Sequence, residues 1–222
     1  MSKTKNVKVY FNIFDILPFI ITLRKIFMPH LIFVIGPMCS WCWGFHPIIK
    51  ELREKHSTSY KFSLVVGGLR TKGQMAWTEQ SKAYLAQNWN AVQQQTQQLF
   101  NFSLLNKDTF DYDTYPACKA IVTIRELWGD DASFEYLEKV QEGFYAKGED
   151  TTSLEVLLTY VDHKKKFLEF YKSERAELLM HHDFSKARSM GANSFPSVVK
   201  IDEAGHMCCS QGYKSLEEIL AF

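Results

Sequence analysis

Two of the five cysteines, Cys39 and Cys42, stand three positions apart with Ser40 and Trp41 between them. A pair at this spacing can close a disulfide within one helical turn. The first sulfur can attack a partner disulfide, and the second can then resolve the mixed disulfide. The same spacing supplies half of a structural zinc site, which needs four ligands. No second CxxC and no spaced Cys/His pair follows, and His181-His182 and Cys208-Cys209 could join only by chance of folding. Redox chemistry is therefore the expected role, with no metal and no organic cofactor implied. Cys118 stands alone on the apolar side of a predicted helix and reads as a buried small residue. Adjacent Cys208 and Cys209 would point to opposite faces of a strand, so a bond between them would be strained. An odd number of cysteines in a chain of 222 residues argues against a structural disulfide framework.

A CxxC nucleophile needs an element that lowers its pKa, and the flanking residues supply one. Leu31 to Ile35 is a short apolar, β-branched run closed by Gly36-Pro37, which predicts a buried strand ending at a turn. Beyond the cysteines, Phe45, Ile48, Ile49 and Leu52 fall on one helical face. Cys39 is thus predicted at a helix start, where unsatisfied N–H groups and the helix dipole favour a thiolate. Tyr60 to Val66 predicts a second strand running into Gly67-Gly68, in a parallel β-α-β unit. Residues 72–190 read as helical throughout, with stripes at Ala117, Ile121, Ile124 and Trp128, at Leu154, Leu157, Leu158 and Val161, and at Met180, Phe184 and Ala187. The Gln-rich stretch from Val92 to Gln98 and the basic run Lys164 to Lys166 read as solvated faces. Pro196 to Ile201 and His206 to Ser210 then predict a hairpin about Asp202 to Gly205, followed by a helix around Leu216 to Leu220.

This is the element order of an α/β thioredoxin-like fold, a four-stranded mixed sheet with a large inserted all-helical subdomain. The expected division is a thioredoxin-like domain over 31–71 and 191–222, a helical subdomain over 72–190, and an N-terminal extension over 1–30. The segment Pro37 to Phe45, PMCSWCWGF, resembles the active-site segment of DsbA-like proteins, and specifically their cytoplasmic branch of predicted protein-disulfide isomerases. Pro47, Val65 to Leu69, Cys118 to Ala120 and Ser194 to Ser197 also resemble that branch, in the same order.

The resemblance implies a thiol-disulfide oxidoreductase or isomerase in the cytoplasm, with Cys39 as nucleophile and Cys42 as resolving thiol. Its partners would be protein or small-molecule thiols and disulfides, glutathione among them. It also implies a cis Phe195-Pro196 bond beside the cysteines, with the Phe195 backbone open to substrate. Trp41, between the sulfurs, is expected to tune them or to offer substrate an apolar contact. Where such proteins commonly carry an acidic residue ahead of the turn into the first cysteine, this chain has Ile35-Gly36. Two alternatives stay open: a glutathione-linked isomerase or transferase of the hydroxychromene-carboxylate isomerase type, and a non-catalytic binding module.

Composition narrows the partners further. Lys and Arg total 26 against 25 Asp and Glu, so no net field gathers nucleic acid or anionic lipid, and no stable membrane association is expected. Lys3, Lys5 and Lys8 ahead of the apolar stretch Val9 to Leu23 resemble the start of an export signal. Asp15 and Pro18 interrupt that stretch, and Arg24-Lys25 stands where a small-residue cleavage site would be, which favours a plain extension. His46 is expected to be a partly exposed helix residue, and Asn101-Phe-Ser103 matches a glycosylation sequon.

Overall fold

The computed structural model describes residues 28–73 and 75–222. The expectations for the export-like stretch fall within 1–27, outside the described residues. Pro29 already belongs to the fold, because its carbonyl accepts the Lys61 N–H at 2.8 Å.

Strand β1 spans His30–Ile35, helix α1 Ser40–His56 and strand β2 Lys61–Val66. β1 and β2 pair in parallel, as a short β-α-β crossover requires. Strands β3 (Ser197–Ile201) and β4 (Met207–Gln211) return as the hairpin, and β3 lies antiparallel to β1. The sheet order is β2-β1-β3-β4, so β1 is central. Its unbroken apolar sequence follows from that place. Leu31, Phe33 and Ile35 face one buried cluster, while Ile32 and Val34 face another on the opposite side.

Between β2 and β3 lie α2 (Glu79–Thr96), α3 (Tyr115–Glu142), α4 (Leu154–Thr159), α5 (Lys164–Tyr171) and α6 (Glu174–Ser189). A last helix, α7, spans Leu216–Ala221. Lone periodicity does not reveal that α3 breaks at Gly129, whose φ of 92° and ψ of 178° are non-helical. The inserted helices share one apolar core with the sheet: Phe33 and Phe45 pack in the same cluster as Tyr112, Ile121, Phe134 and Phe144. The other sheet face is covered by Ala187 and Met190 at the end of α6 and by Ala192.

The edge strand β2 is sealed by charge. Arg125 of α3 donates to Asp183 of α6 through both terminal nitrogens, at 2.7 and 2.8 Å. Asp183 accepts the Val66 N–H at 3.0 Å, and Arg125 donates to the Leu64 carbonyl at 2.6 Å. The pair thus satisfies edge backbone that would otherwise be free to pair with another chain, and it ties both helices to the strand that leads into Gly67. Removing Asp183 leaves the half-buried Arg125 without its counter-ion and the Val66 N–H without its acceptor. Asp183→Ala is expected to lower unfolding free energy by about 3–5 kcal/mol, read as a shift in denaturant midpoint at unchanged slope. A loss below about 1 kcal/mol would show that the pair does not hold β2.

Candidate active site

The end of β1 and the start of α1 place the two cysteines. The Cys39 N–H donates to the Gly36 carbonyl at 3.1 Å, closing a tight turn. Cys39 itself is extended, with φ −103° and ψ 120°, and is the N-cap of α1. A cap is normally Ser, Thr, Asp or Asn, whose oxygen takes a first-turn N–H; here the thiol makes no such bond. The helix start therefore presents its positive end to a sulfur.

The sulfurs differ in access. Cys39 keeps 7% of its surface exposed and Cys42 none. The Cys39 thiol is held below the ordinary range, first by the hydrogen bond from Cys42, then by the Cys42 and Trp41 backbone N–H groups and the nearby Arg70 charge, against the opposing effect of burial. Burial pushes Cys42 well above that range, and the hydrogen bond and charge of Cys39 add to the rise. The first thiol is thus shifted toward its anion and the second away from it.

The loop before β3 closes the site from the other side. The Phe195-Pro196 bond is cis. The Cys39 thiol donates to the Phe195 carbonyl at 3.5 Å, so in the free protein that carbonyl is engaged by the nucleophile itself. Pro196 is buried behind it, at the head of β3. The Phe195 ring fits against Gly67 so closely that a Cβ there would stand 2.2 Å from it. Glycine after β2 is thus a requirement of the Phe195 position.

The two tryptophans have different surroundings. Trp41 is half-buried at the mouth of the cleft, its ring 6.0 Å from that of Tyr213. Trp43 is core: it stacks on Tyr145 at 6.4 Å and donates to the Leu99 carbonyl at 3.0 Å. The Gln98 amide donates to the Trp43 carbonyl at 3.0 Å, so one residue of the Gln-rich stretch holds α1 rather than facing water alone. Gly44 lets α2 approach, since a Cβ there would meet Val92 at 2.7 Å.

Below the turn, Tyr112 donates to the Met38 carbonyl at 2.8 Å and lies 3.4 Å from the Tyr145 hydroxyl. Burial pushes Tyr112 up to about 12 and raises Tyr145 well above the ordinary phenol range, so both stay neutral phenols. Neither they nor Arg70 stood out in the sequence, although Arg70 directly follows the recognisable Val65 to Leu69 segment.

His46 corrects an expectation. It is buried, not partly exposed, because Gln141 and Glu138 of α3 close over it at 3.1 and 3.7 Å, and burial lowers its pKa. Cys118 is fully buried, its thiol pushed up by desolvation and directed at the Gly67 carbonyl. Cys208 and Cys209 are unbonded on β4. Asn101 of the sequon caps a short 3₁₀ turn at Phe102–Asn106, accepting the Ser103 N–H at 2.9 Å.

A family model described as Thioredoxin matches residues 32–219. The chain belongs to the thioredoxin family. A crystal structure of a candidate protein disulfide isomerase from Nitrosomonas europaea superposes with a TM-score of 0.78 at 26% identity, covering 87% of this chain and 94% of the other. The cytosolic disulfide reductase DsbM from Pseudomonas aeruginosa, also solved with GSH, shares the fold at 21% identity and a TM-score of 0.68, over 82% and 89% of the two chains. In sequence, the ClpXP adapter protein SpxH of Halalkalibacterium halodurans is 24% identical over 189 residues, which are 77% of this chain. This thioredoxin-family chain spans 59% of the length of that curated relative.

The contrast between the thiols can be read directly. In a reduced Cys208→Ser, Cys209→Ser background, iodoacetamide at about pH 6 should label Cys39 ahead of Cys42 and Cys118, by mass mapping. Because the anion is the reactive form, the rate should fall only as pH drops through the depressed Cys39 pKa, below the free-thiol value of about 8.5. Labelling of Cys42 first, or a profile centred on the free-thiol value, would contradict the assignment.

Proposed function

We propose that this protein is a thiol-disulfide oxidoreductase that works through a mixed disulfide on Cys39, with Cys42 as the resolving thiol. The observation that carries the reading is the asymmetry of the pair: an anion-favouring, cleft-facing Cys39 against a buried, protonated Cys42. The Cys39 thiolate attacks one sulfur of a disulfide and expels the other as a thiolate, which takes up a proton. Cys42 then loses its proton and attacks the Cys39 sulfur, releasing the second thiol. Two electrons pass to the substrate and the pair becomes a disulfide. Run in reverse, the oxidised pair hands its disulfide to a dithiol.

The geometry also times the second step. Part of the Cys42 elevation comes from the hydrogen bond and charge of Cys39. Both disappear once the Cys39 sulfur is bonded to substrate, so Cys42 becomes easier to deprotonate when it is needed. Trp41 and Phe195 line the cleft where substrate would lie, with buried Pro196 next to Phe195, and the Phe195 carbonyl is released from the Cys39 thiol as the mixed disulfide forms. Action as a disulfide isomerase in the cytoplasm is the finer reading, supported by the Nitrosomonas europaea and DsbM likenesses. Among the described residues no helix is long and apolar enough to cross a membrane. A non-catalytic adapter role is the second reading, favoured by the likeness to SpxH.

The two readings part on trapping. Cys42→Ser should accumulate mixed disulfides at Cys39 that dissolve with reductant, visible on non-reducing gels, whereas Cys39→Ser should accumulate few. Equal trapping by both variants, or none by either, would reject the assigned roles and favour the adapter reading.

A further inference from the structure

The cleft beside Cys39 has a volume of about 290 Å³ and is walled by Trp41, Leu69, Arg70, Asn88, Ser194 and Phe195, among others. That volume lies at the small end of ligand clefts, which run from about 300 to 1,000 Å³. Its electrostatics are one-sided. Arg70 is the charged residue of the wall, and no Asp, Glu or Lys among the described residues lines it.

Arg70 is held in place. Its φ of 53° lies in the left-handed region, uncommon for a residue with a side chain. The conformation is fixed from both sides by fully buried Thr114: its N–H donates to the Arg70 carbonyl at 3.1 Å and its hydroxyl to the Leu69 carbonyl. The guanidinium stands over the Tyr112 ring, 5.3 Å from its centroid. Among the described residues no group accepts a hydrogen bond from its N–H edge, which suits a planar anion, the geometry at which arginine is best. Backbone in an uncommon conformation, over-determined by its surroundings, is typical of ligand clamps.

We infer that Arg70 is a specificity-determining residue that docks a carboxylate of the substrate beside Cys39, so that the protein acts on small disulfides bearing an acid group near the S–S bond. The inference rests on the oxidoreductase reading and names its substrate class. The Cys39 thiolate attacks the sulfur of the half of the disulfide held by Arg70 and expels the other half as an acid-bearing thiolate. Cys42 releases the docked half as a second one, leaving the pair oxidised by two electrons. Asn88, Asn193 and Ser194 offer further hydrogen-bonding groups in the same wall. The Arg70 charge that meets the substrate also favours the Cys39 thiolate.

The test uses single turnovers, which need no added reductant. Reduced protein is mixed with 3,3′-dithiodipropionate, bis(2-hydroxyethyl) disulfide or cystamine, and oxidation is followed by tryptophan fluorescence. Each rate is divided by that of free 2-mercaptoethanol with the same disulfide, which removes intrinsic differences. The neutral disulfide reports the reactivity of Cys39 itself, so the anionic-to-neutral ratio is blind to any change in its thiolate fraction. The native chain should favour the anionic disulfide over the neutral one about tenfold, with the cationic one slowest. Arg70→Gln should bring the ratio close to one, and Arg70→Lys should keep part of it. A native ratio near one, or a ratio unchanged in Arg70→Gln, would overturn the inference while leaving the oxidoreductase reading intact. Failure of every disulfide to oxidise the protein would overturn that reading and this inference with it.

Discussion

The arrangement depends on one constraint: a sulfur must occupy the N-cap of α1 while remaining reachable from a cleft. The helix start supplies N–H groups and a positive potential, and Cys39 meets both without making the ordinary cap bond. The cost of that choice is a weaker cap, since a hydroxyl or carboxylate there would contribute about 1 kcal/mol to the helix. The rest of the site compensates. β1 is central in the sheet, so its C-terminal end, where the turn into α1 begins, is held between two neighbouring strands. Tyr112 secures the turn at the Met38 carbonyl, and Gln98 secures α1 one residue past Cys42.

The inserted helices are part of this support. They share a core with the sheet, and they deliver to the site residues that the sheet and α1 alone could not. α2 closes on Gly44, the segment ahead of α3 brings Tyr112 and Thr114, and Arg125 and Asp183 anchor β2 just before the Gly67 against which Phe195 rests. The turn and helix that carry Cys39, and the strand beside them, are therefore braced from three distant parts of the chain. The chemistry of Cys39 is a property of the assembled domain rather than of the CxxC segment.

That distinction explains what could be read from the sequence. The β-α-β opening and the closing hairpin were legible because their signals are local: a contiguous apolar strand, a helical stripe, and Gly or Pro at the turns. The pair Cys39 and Cys42 and the cis Phe195-Pro196 bond were legible through the motif and its resemblance. His46 was not, because its burial depends on Gln141, 95 residues away, and four-residue spacing along α1 says nothing about what α3 places over it. Tyr112 and Arg70 were missed for the same reason. One lies in a loop with no periodicity and the other in a conformation set by Thr114, a contact between parts of the chain with no sequence signal in common. The break of α3 at Gly129 comes just past the stripe that ends at Trp128, and a lone glycine in a helical run does not by itself predict a break.

The central claim is that Cys39 and Cys42 form a reversible two-electron couple. It is tested most directly by equilibrating the protein in glutathione buffers of graded ratio, quenching with acid, and reading the oxidation state of each cysteine by mass after alkylation. The account predicts one transition that removes two hydrogens, falls on Cys39 and Cys42 together, coincides whether approached from the reduced or the oxidised side, and leaves Cys118 unmodified. A protein that stays reduced at every ratio, or one whose oxidation maps to Cys118, Cys208 or Cys209 instead, would contradict it.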